Sequence, residues 1–361
     1  MQIKKIISKD RLRPESIFLN TFLSNLDSNN LKYCVERNYE NYPEKVTGDI
    51  DLIVLKNDLK KIIDLVIVSG EKLGWSPFLI YPSENVSYVG FYKHDLTSRF
   101  VLVFEFFSGG VFRGLEFLSS KEILSKRIKY KEVWKPHPAH ELILTLFHHL
   151  LYSGKVYQKY TARISALYSE SKNDLYFEIR KIYSKNLTNE ILSLIKDEDW
   201  LGLEKISNKI RKSFYFSAFI NNPLNSLSNV IKLVLALKNK PKGIFISFVG
   251  NESLFLDLID EFISLAIKWH IFIPPKRALV NLKSTSFLKD VNGIIKSGGV
   301  AISINKSSLL TKKNLQHISK FIEIEVKEET TFYFRKTNKN KVFNNFKASP
   351  HNLWLEILNF L

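Results

Sequence analysis

The chain has 361 residues, enough for two or three domains, each with a core of its own. Hydrophobic residues make up 45% and aromatic residues 13%, which excludes global disorder; the single Cys34 excludes an internal disulfide, and no Cys/His spacing suggests zinc. The net charge of +17 points to anionic partners such as nucleic acid, a membrane surface or phosphorylated small molecules, yet the lysines are spread along the chain and no helix-turn-helix, RNA-binding or zinc-finger signature is present. A genome biased toward Asn, Ile and Lys would produce the same balance.

In chain order, residues 15–28 place Ile17, Phe18, Phe22, Leu23 and Leu26 at helical spacing. LKYCVE (31–36) reads as a strand, and a polar loop from 37 to 48, with Pro43 inside it, ends at Gly48. DIDLIVL (49–55) is the next strand, and residues 57–73 form an amphipathic helix opened by Asn57 or Asp58. Two extended segments follow, 85–93 and 99–107. This order predicts an α+β domain, a small mixed sheet with helices packed on it. From about Ser119 the pattern turns helical. Residues 138–152 form a well-buried helix with Pro138 in its first turn, and further helices run through about 160–238, with polar breaks near 185–189 and 221–225. Asn-Lys-Pro-Lys at 239–242 marks a boundary. Beyond it KGIFISFVG has strand length, 253–268 is helical, and 270–275 and 299–304 are extended, so the C-terminal part reads as α/β. The expected domains are 1–118, 119–238 and 239–361. The N-terminus lacks an apolar core of signal-peptide length and no apolar run reaches a membrane span, so the expected setting is cytoplasmic, at most peripheral to the inner membrane face.

The chemistry centres on Asp49 and Asp51. On a strand, alternate side chains share a face, so the two carboxylates lie side by side. Like charges in a half-buried strand need a cation or hydrogen bonds, and Mg²⁺ (or Mn²⁺) is the simplest partner for such oxygen ligands. Glu105, flanked by Phe104 and Phe106, points away from both, and joins the pair if its strand lies beside 49–55. Three carboxylates around one or two metal ions suit phosphoryl transfer, the third acting as metal ligand or general base. His148 and His149 are adjacent, about a hundred degrees apart on a helix, and read as packing or interface residues.

Gly48-Asp49-Ile50-Asp51-Leu52, preceded by a strand and a loop, resembles the nucleotidyltransferase fold of the DNA polymerase β superfamily. More narrowly, Arg37-Asn38-Tyr39-Glu40, Glu105-Phe106-Phe107, Arg113-Gly114-Leu115-Glu116-Phe117, and Leu150-Leu151-Tyr152-Ser153-Gly154-Lys155 with Lys159-Tyr160 resemble bacterial proteins that fuse a nucleotidyltransferase-like domain to a thymidylate-kinase-like domain, often in surface-polysaccharide gene clusters. The resemblance covers about 30–165 well and 240–260 weakly. It implies catalytic and metal-binding roles for Asp49, Asp51 and Glu105, and nucleotide binding by Arg37, Asn38, Gly48, Arg113, Lys155, Lys159 and Tyr160. Arg37 and Asn38 stand where the superfamily usually has Gly-Ser; Asn38 would donate to a phosphate and Arg37 neutralise charge. Arg37 and Arg113 also read as surface ion-pair arginines, and Lys155, Lys159 and Tyr160 as a solvated helix end.

KGIFISFVG resembles the strand that opens a kinase-like P-loop. Counted from Gly250, however, Phe255, Leu256 and Asp257 stand where the second glycine, the lysine and the hydroxyl residue belong. Phe blocks backbone approach, Leu carries no charge for the phosphates and Asp repels them. The C-terminal domain therefore reads as a degenerate P-loop kinase, kept for stability, dimerisation or binding of a partner protein. The whole is expected to move a nucleotidyl group from an NTP to a hydroxyl or phosphate of a sugar-type or anionic small molecule. The alternatives are a non-catalytic scaffold built from two worn domains, and a toxin-type enzyme acting on RNA or protein.

Overall fold

The computed structural model describes residues 13–46, 48–81, 86–94, 99–221, 223–238, 244–249, 277–279, 300–305, 321–328, 331–336 and 339–347. The chain divides into two compact units, Met1–Leu235 and Ala236–Leu361.

Unit 1 opens with α1 (Pro14–Ser28), β1 (Tyr33–Val35), β2 (Ile50–Val54), α2 (Leu59–Lys72), β3 (Ser76–Tyr81), β4 (Val86–His94) and β5 (Arg99–Phe107). The strands form one mixed sheet in the order β1-β2-β5-β4-β3, with β2 and β5 parallel and the other pairs antiparallel. Strand alternation sorts the side chains of β2 between two cores. Ile50, Leu52 and Val54 join Phe104 and Phe106 of β5 and pack against Phe18, Phe22 and Leu26 of α1 and Ile62 and Val66 of α2. Edge-to-face rings bind this layer, with Phe18 4.9 Å from Phe91 and 5.2 Å from Phe104 between centroids. Ile17, on the rim of the predicted helical stripe, is 42% exposed.

The opposite face of β2 carries Asp51 and Ile53, and Ile53 belongs to a second core. That core is closed by β6 (Gly109–Phe112), β7 (Leu115–Ser119), α3 (Ser120–Ser125), β8 (Ile128–Tyr130), β9 (Val133–Lys135), α4 (Pro138–Tyr152), α5 (Gln158–Ile182), α6 (Lys185–Lys196), α7 (Trp200–Asn221) and α8 (Pro223–Lys238). Its centre is α4, nearly every residue of which is buried from Pro138 to Leu151. Leu142, Phe147 and Leu150 meet Ile164 and Ile179 of α5 and Leu203 and Phe214 of α7 in one cluster. The acid-bearing face of the sheet thus looks toward the helical layer rather than toward α1 and α2.

The mixed sheet, the helices flanking it and α4 stand as the sequence pattern predicts. Several details differ. Residues 76–81 form an extra strand, and 109–135, expected to turn helical after Ser119, hold two hairpins around the short α3. The polar stretch 185–189 is no break: Ser184 accepts a hydrogen bond from the Leu187 backbone N–H at 3.4 Å, so those residues form the capped first turn of α6. The break lies one step earlier, at 183–184, and a further one at 197–199 precedes α7.

Unit 2 contains β10 (Ile244–Val249), β11 (Arg277–Leu279), β12 (Val300–Asn305), β13 (Phe321–Glu328), β14 (Thr331–Lys336) and β15 (Lys339–Lys347). They form a sheet in the order β11-β12-β10-β13-β14-β15, parallel from β11 to β13 and antiparallel through the last two strands. β10 and β12 fall where the apolar runs 242–250 and 299–304 predict strands, whereas the antiparallel strands from 321 to 347 have no counterpart in the sequence reading. The expected helix 253–268, the extended piece 270–275 and the loop positions 250–257 lie outside the described residues.

Candidate active site

The candidate site is built on adjacent strands β1, β2 and β5. Val35 pairs with Leu52, and the Glu36 backbone N–H donates to the Asp51 carbonyl at 2.8 Å, which carries β1 past its last paired residue. On the other side the parallel register sets Asp51 directly opposite Glu105, with Ile50 opposite Phe104. Both acids alternate with apolar residues of the α1–α2 core, so both point to the other face. Asp49 stands just ahead of β2, two residues before Asp51, and its charge acts on Glu105; the Tyr42 hydroxyl donates to its carbonyl at 3.4 Å.

The electrostatics follow from crowding. Asp51 is 4% exposed and Glu105 partly buried. Burial raises Glu105 to about 8, reinforced by the charges of Asp51 and Asp49. Burial also raises Asp51, opposed by Arg37, whose Nε lies 2.5 Å from Asp51 Oδ2. The sequence reading missed a fourth acid: Glu36 is raised to about 7 by burial, with Arg37 pulling the other way and Asp51 and Glu141 adding to the rise. Such a set of crowded oxygens, proton-holding in the absence of a cation, has the hard-ligand chemistry of a divalent-ion site.

Arg37 is held by the turn that follows it. Asn38 is left-handed, with φ 60° and ψ 24°, and opens a single helical turn at Tyr39–Asn41. The Tyr39 hydroxyl donates to Glu141 Oε2 at 2.7 Å, and Arg163 donates through Nε to Glu141 Oε1 at 2.7 Å and through another nitrogen to the Tyr39 hydroxyl. Glu141 is 2% exposed on α4, so this brace ties the Arg37 turn to α4 and α5. Asn38 itself is exposed and shapes the turn rather than the site.

The helical layer brings further groups near Arg37. His149 stacks on Tyr160 with ring centroids 4.7 Å apart, and Lys159 Nζ lies 4.7 Å over the same tyrosine ring. Burial lowers His149 to about 4, helped by His148, Arg37 and Lys159, so its ring is a neutral face near the Arg37 cation. No family model, curated protein or solved structure matches the chain. The site therefore rests on its own geometry.

Tyr160 thus stands in the neighbourhood of Arg37, with Lys159 over its ring. Arg113 and Lys155 do not join it through any hydrogen bond or ion pair among the described residues. Arg113 occupies the β6–β7 turn, 5.3 Å from the Phe112 ring, and the Tyr152 hydroxyl donates to the neighbouring Val111 carbonyl at 3.1 Å; Lys155 is exposed in the α4–α5 connection. A side chain at Gly48 would meet nothing within 4 Å, so the protein's own packing does not require glycine there. Among the described residues no helix is long and apolar enough to cross a membrane.

Proposed function

We propose that this chain is a metal-dependent nucleotidyltransferase of the type its Gly-Asp-x-Asp strand resembles, moving a nucleotidyl group from an NTP to a hydroxyl or phosphate of a small sugar-type or anionic acceptor, such as a surface-polysaccharide precursor. The observation that carries the reading is the register of Asp51 against Glu105, with Arg37 paired to Asp51 and the charge of Asp49 acting on Glu105. Asp49, Asp51 and Glu105 would hold Mg²⁺ or Mn²⁺, and the upward shifts of Asp51 and Glu105 are those of oxygens awaiting a cation. When bound, the ion supplies charge neutralisation for a triphosphate and acidifies an acceptor hydroxyl. Arg37 orients Asp51 and offers its remaining N–H groups to phosphate oxygens. The stacked His149–Tyr160 pair presents flat rings of the kind a nucleobase stacks on, with Lys159 next to them. Glu36 and Glu105 are the two groups poised to take a proton near neutrality.

For unit 2 we infer no kinase activity, because Phe255, Leu256 and Asp257 replace the phosphate-binding residues of a P-loop. Its parallel order around β10 makes the end of that strand the usual ligand crevice of an open α/β sheet, and the residues beyond it lack the phosphate chemistry.

The Arg37–Asp51 ion pair favours a second reading. One catalytic-type carboxylate is already neutralised within the protein, as in a non-catalytic scaffold. Calorimetric titration of the full chain with each NTP, with and without Mg²⁺, separates the two. The enzyme reading expects one NTP to bind only with Mg²⁺, and the Asp49→Ala/Asp51→Ala protein to lose at least about a hundredfold in affinity, roughly 2.7 kcal/mol. A folded protein that binds no NTP under any condition leaves the scaffold.

A further inference from the structure

A second group of metal-type ligands lies in unit 1 and shares no residue with the β2–β5 carboxylates. Glu122 of α3, His140 of α4 and Glu178 of α5 each offer a donor atom, and the three atoms lie within 4.8 Å of one another. His140 is completely buried, at 0% exposure, and neither of its ring nitrogens has a hydrogen-bond partner. Its Nε2 faces Glu178 Oε2 at 3.6 Å, beyond hydrogen-bond distance. A buried imidazole left in this state is costly, and burial keeps it neutral, with a lone pair available.

The carboxylates, by contrast, are occupied. Lys126 Nζ and Lys181 Nζ each lie 2.6 Å from an oxygen of Glu178, and Lys181 also pairs with Glu122. Although burial raises Glu178, these bonds hold it down to about 2, fully ionised. Two ammonium charges therefore stand where one divalent ion would balance the same pair of acids. They leave His140 unserved, which a simple ion-pair network does not explain. Both lysine side chains are about half exposed, at 49% and 50%, and their flexible stems can carry the charge out to water. Glu122 and Glu178 line a cleft of about 480 Å³, together with Glu116 and Lys181, which gives an ion an entry path.

We propose that Glu122, His140 and Glu178 bind one divalent transition ion of the zinc class, in competition with the ammonium groups of Lys126 and Lys181. One imidazole nitrogen and two carboxylate oxygens suit Zn²⁺, Mn²⁺ or Fe²⁺ better than Mg²⁺. Three protein ligands leave a further position to water from the cleft. The donors must close to about 3.4 Å apart around an ion held at about 2.1 Å, and Glu122, with its side chain 30% exposed, has the room to move.

The test uses full-length, metal-free Asp49→Ala/Asp51→Ala protein, so that the first site cannot contribute. It is titrated with Co²⁺ and followed by visible absorption, then challenged with Zn²⁺. One equivalent of Co²⁺ with ligand-field bands, displaced by Zn²⁺, is expected. Adding His140→Ala should weaken binding at least tenfold. Adding Lys181→Met, which removes a competitor and no ligand, should tighten it several-fold, and this arm holds even if the histidine variant folds poorly. Absence of Co²⁺ bands, or binding indifferent to both substitutions, overturns the proposal and leaves Lys126, Lys181, Glu122 and Glu178 as an ion-pair network only.

Discussion

Glu105 sits beside two other carboxylates, and its proton responds to all of them. Its folded pKa is raised from 4.5 to about 8, so between those values the folded state keeps a proton that the unfolded state has lost. The folded state then binds more protons, and stability falls as pH rises through that window. Glu105→Gln removes the titration. The variant should match the wild type at about pH 5 and exceed it at about pH 9, by about 2 kcal/mol once partial solvent screening is allowed for. Thermal melts of both proteins across that range, without divalent ions, check this; parallel pH slopes would contradict it. Mg²⁺ added to the wild type should flatten its slope in the same way, since a cation replaces the proton. At this scale Asp51 and Glu105 were legible as acids on one face because alternation sets each opposite its apolar neighbours, and the parallel register of β2 and β5 brings them together. Glu36 was not, since it lies just past the end of a three-residue strand and its meeting with Asp51 is set by pairing across the sheet. The Glu122–His140–Glu178 group was equally invisible, being drawn from three helices.

Elements were legible where periodicity is strong and hidden where local chemistry argues against it. β3 contains Pro77, which counts against a strand in a sequence reading. The structure resolves the conflict by placing β3 at the sheet edge, with a register irregularity between Pro77 and Leu79. The β6–β7 hairpin turns on Arg113 and Gly114, both with positive φ, at 49° and 81°. That is the geometry of a two-residue hairpin loop, written with Arg in place of the usual Asn or Asp. α2 poses the opposite question, a glycine inside a helix. Gly70 costs about 1 kcal/mol relative to alanine by propensity. A Cβ there, however, would meet Phe18 at 2.7 Å and Phe91 at 2.8 Å, in the ring cluster that seats α1 and α2 on the sheet. Overpacking of this kind costs about 1–3 kcal/mol. Gly70→Ala should therefore destabilise, by about 1 kcal/mol net, and lower the urea midpoint with an unchanged slope. A raised midpoint would mean the rings move aside and helix propensity wins.

At the scale of the whole molecule, unit 1 closes its cores with its own residues. The buried hydrophobic residues of unit 1 run from Phe18 to Phe214, so among the described residues both of its clusters are filled from within the unit. A unit of this size buries enough surface to be stable alone. The boundary at 235/236 cuts α8, so a fragment should end at Lys238, where the helix ends. The prediction is that residues 1–238 unfold in one cooperative transition and retain whatever metal and NTP binding the full chain shows, because the proposed ligands all lie between Glu36 and Glu178. Surface chemistry can obscure the result: Leu224, Leu227 and Ile231 of α8 are 81%, 54% and 50% exposed, and an apolar set of that kind promotes association. A Leu224→Glu version of the fragment separates the two failures. If the parent fragment aggregates and the glutamate version is monomeric and cooperative, unit 1 is autonomous and only its surface was at fault. If both fragments lack a cooperative transition in urea while the full chain has one, unit 1 depends on residues beyond 238, and the closure of its core within itself is disproved.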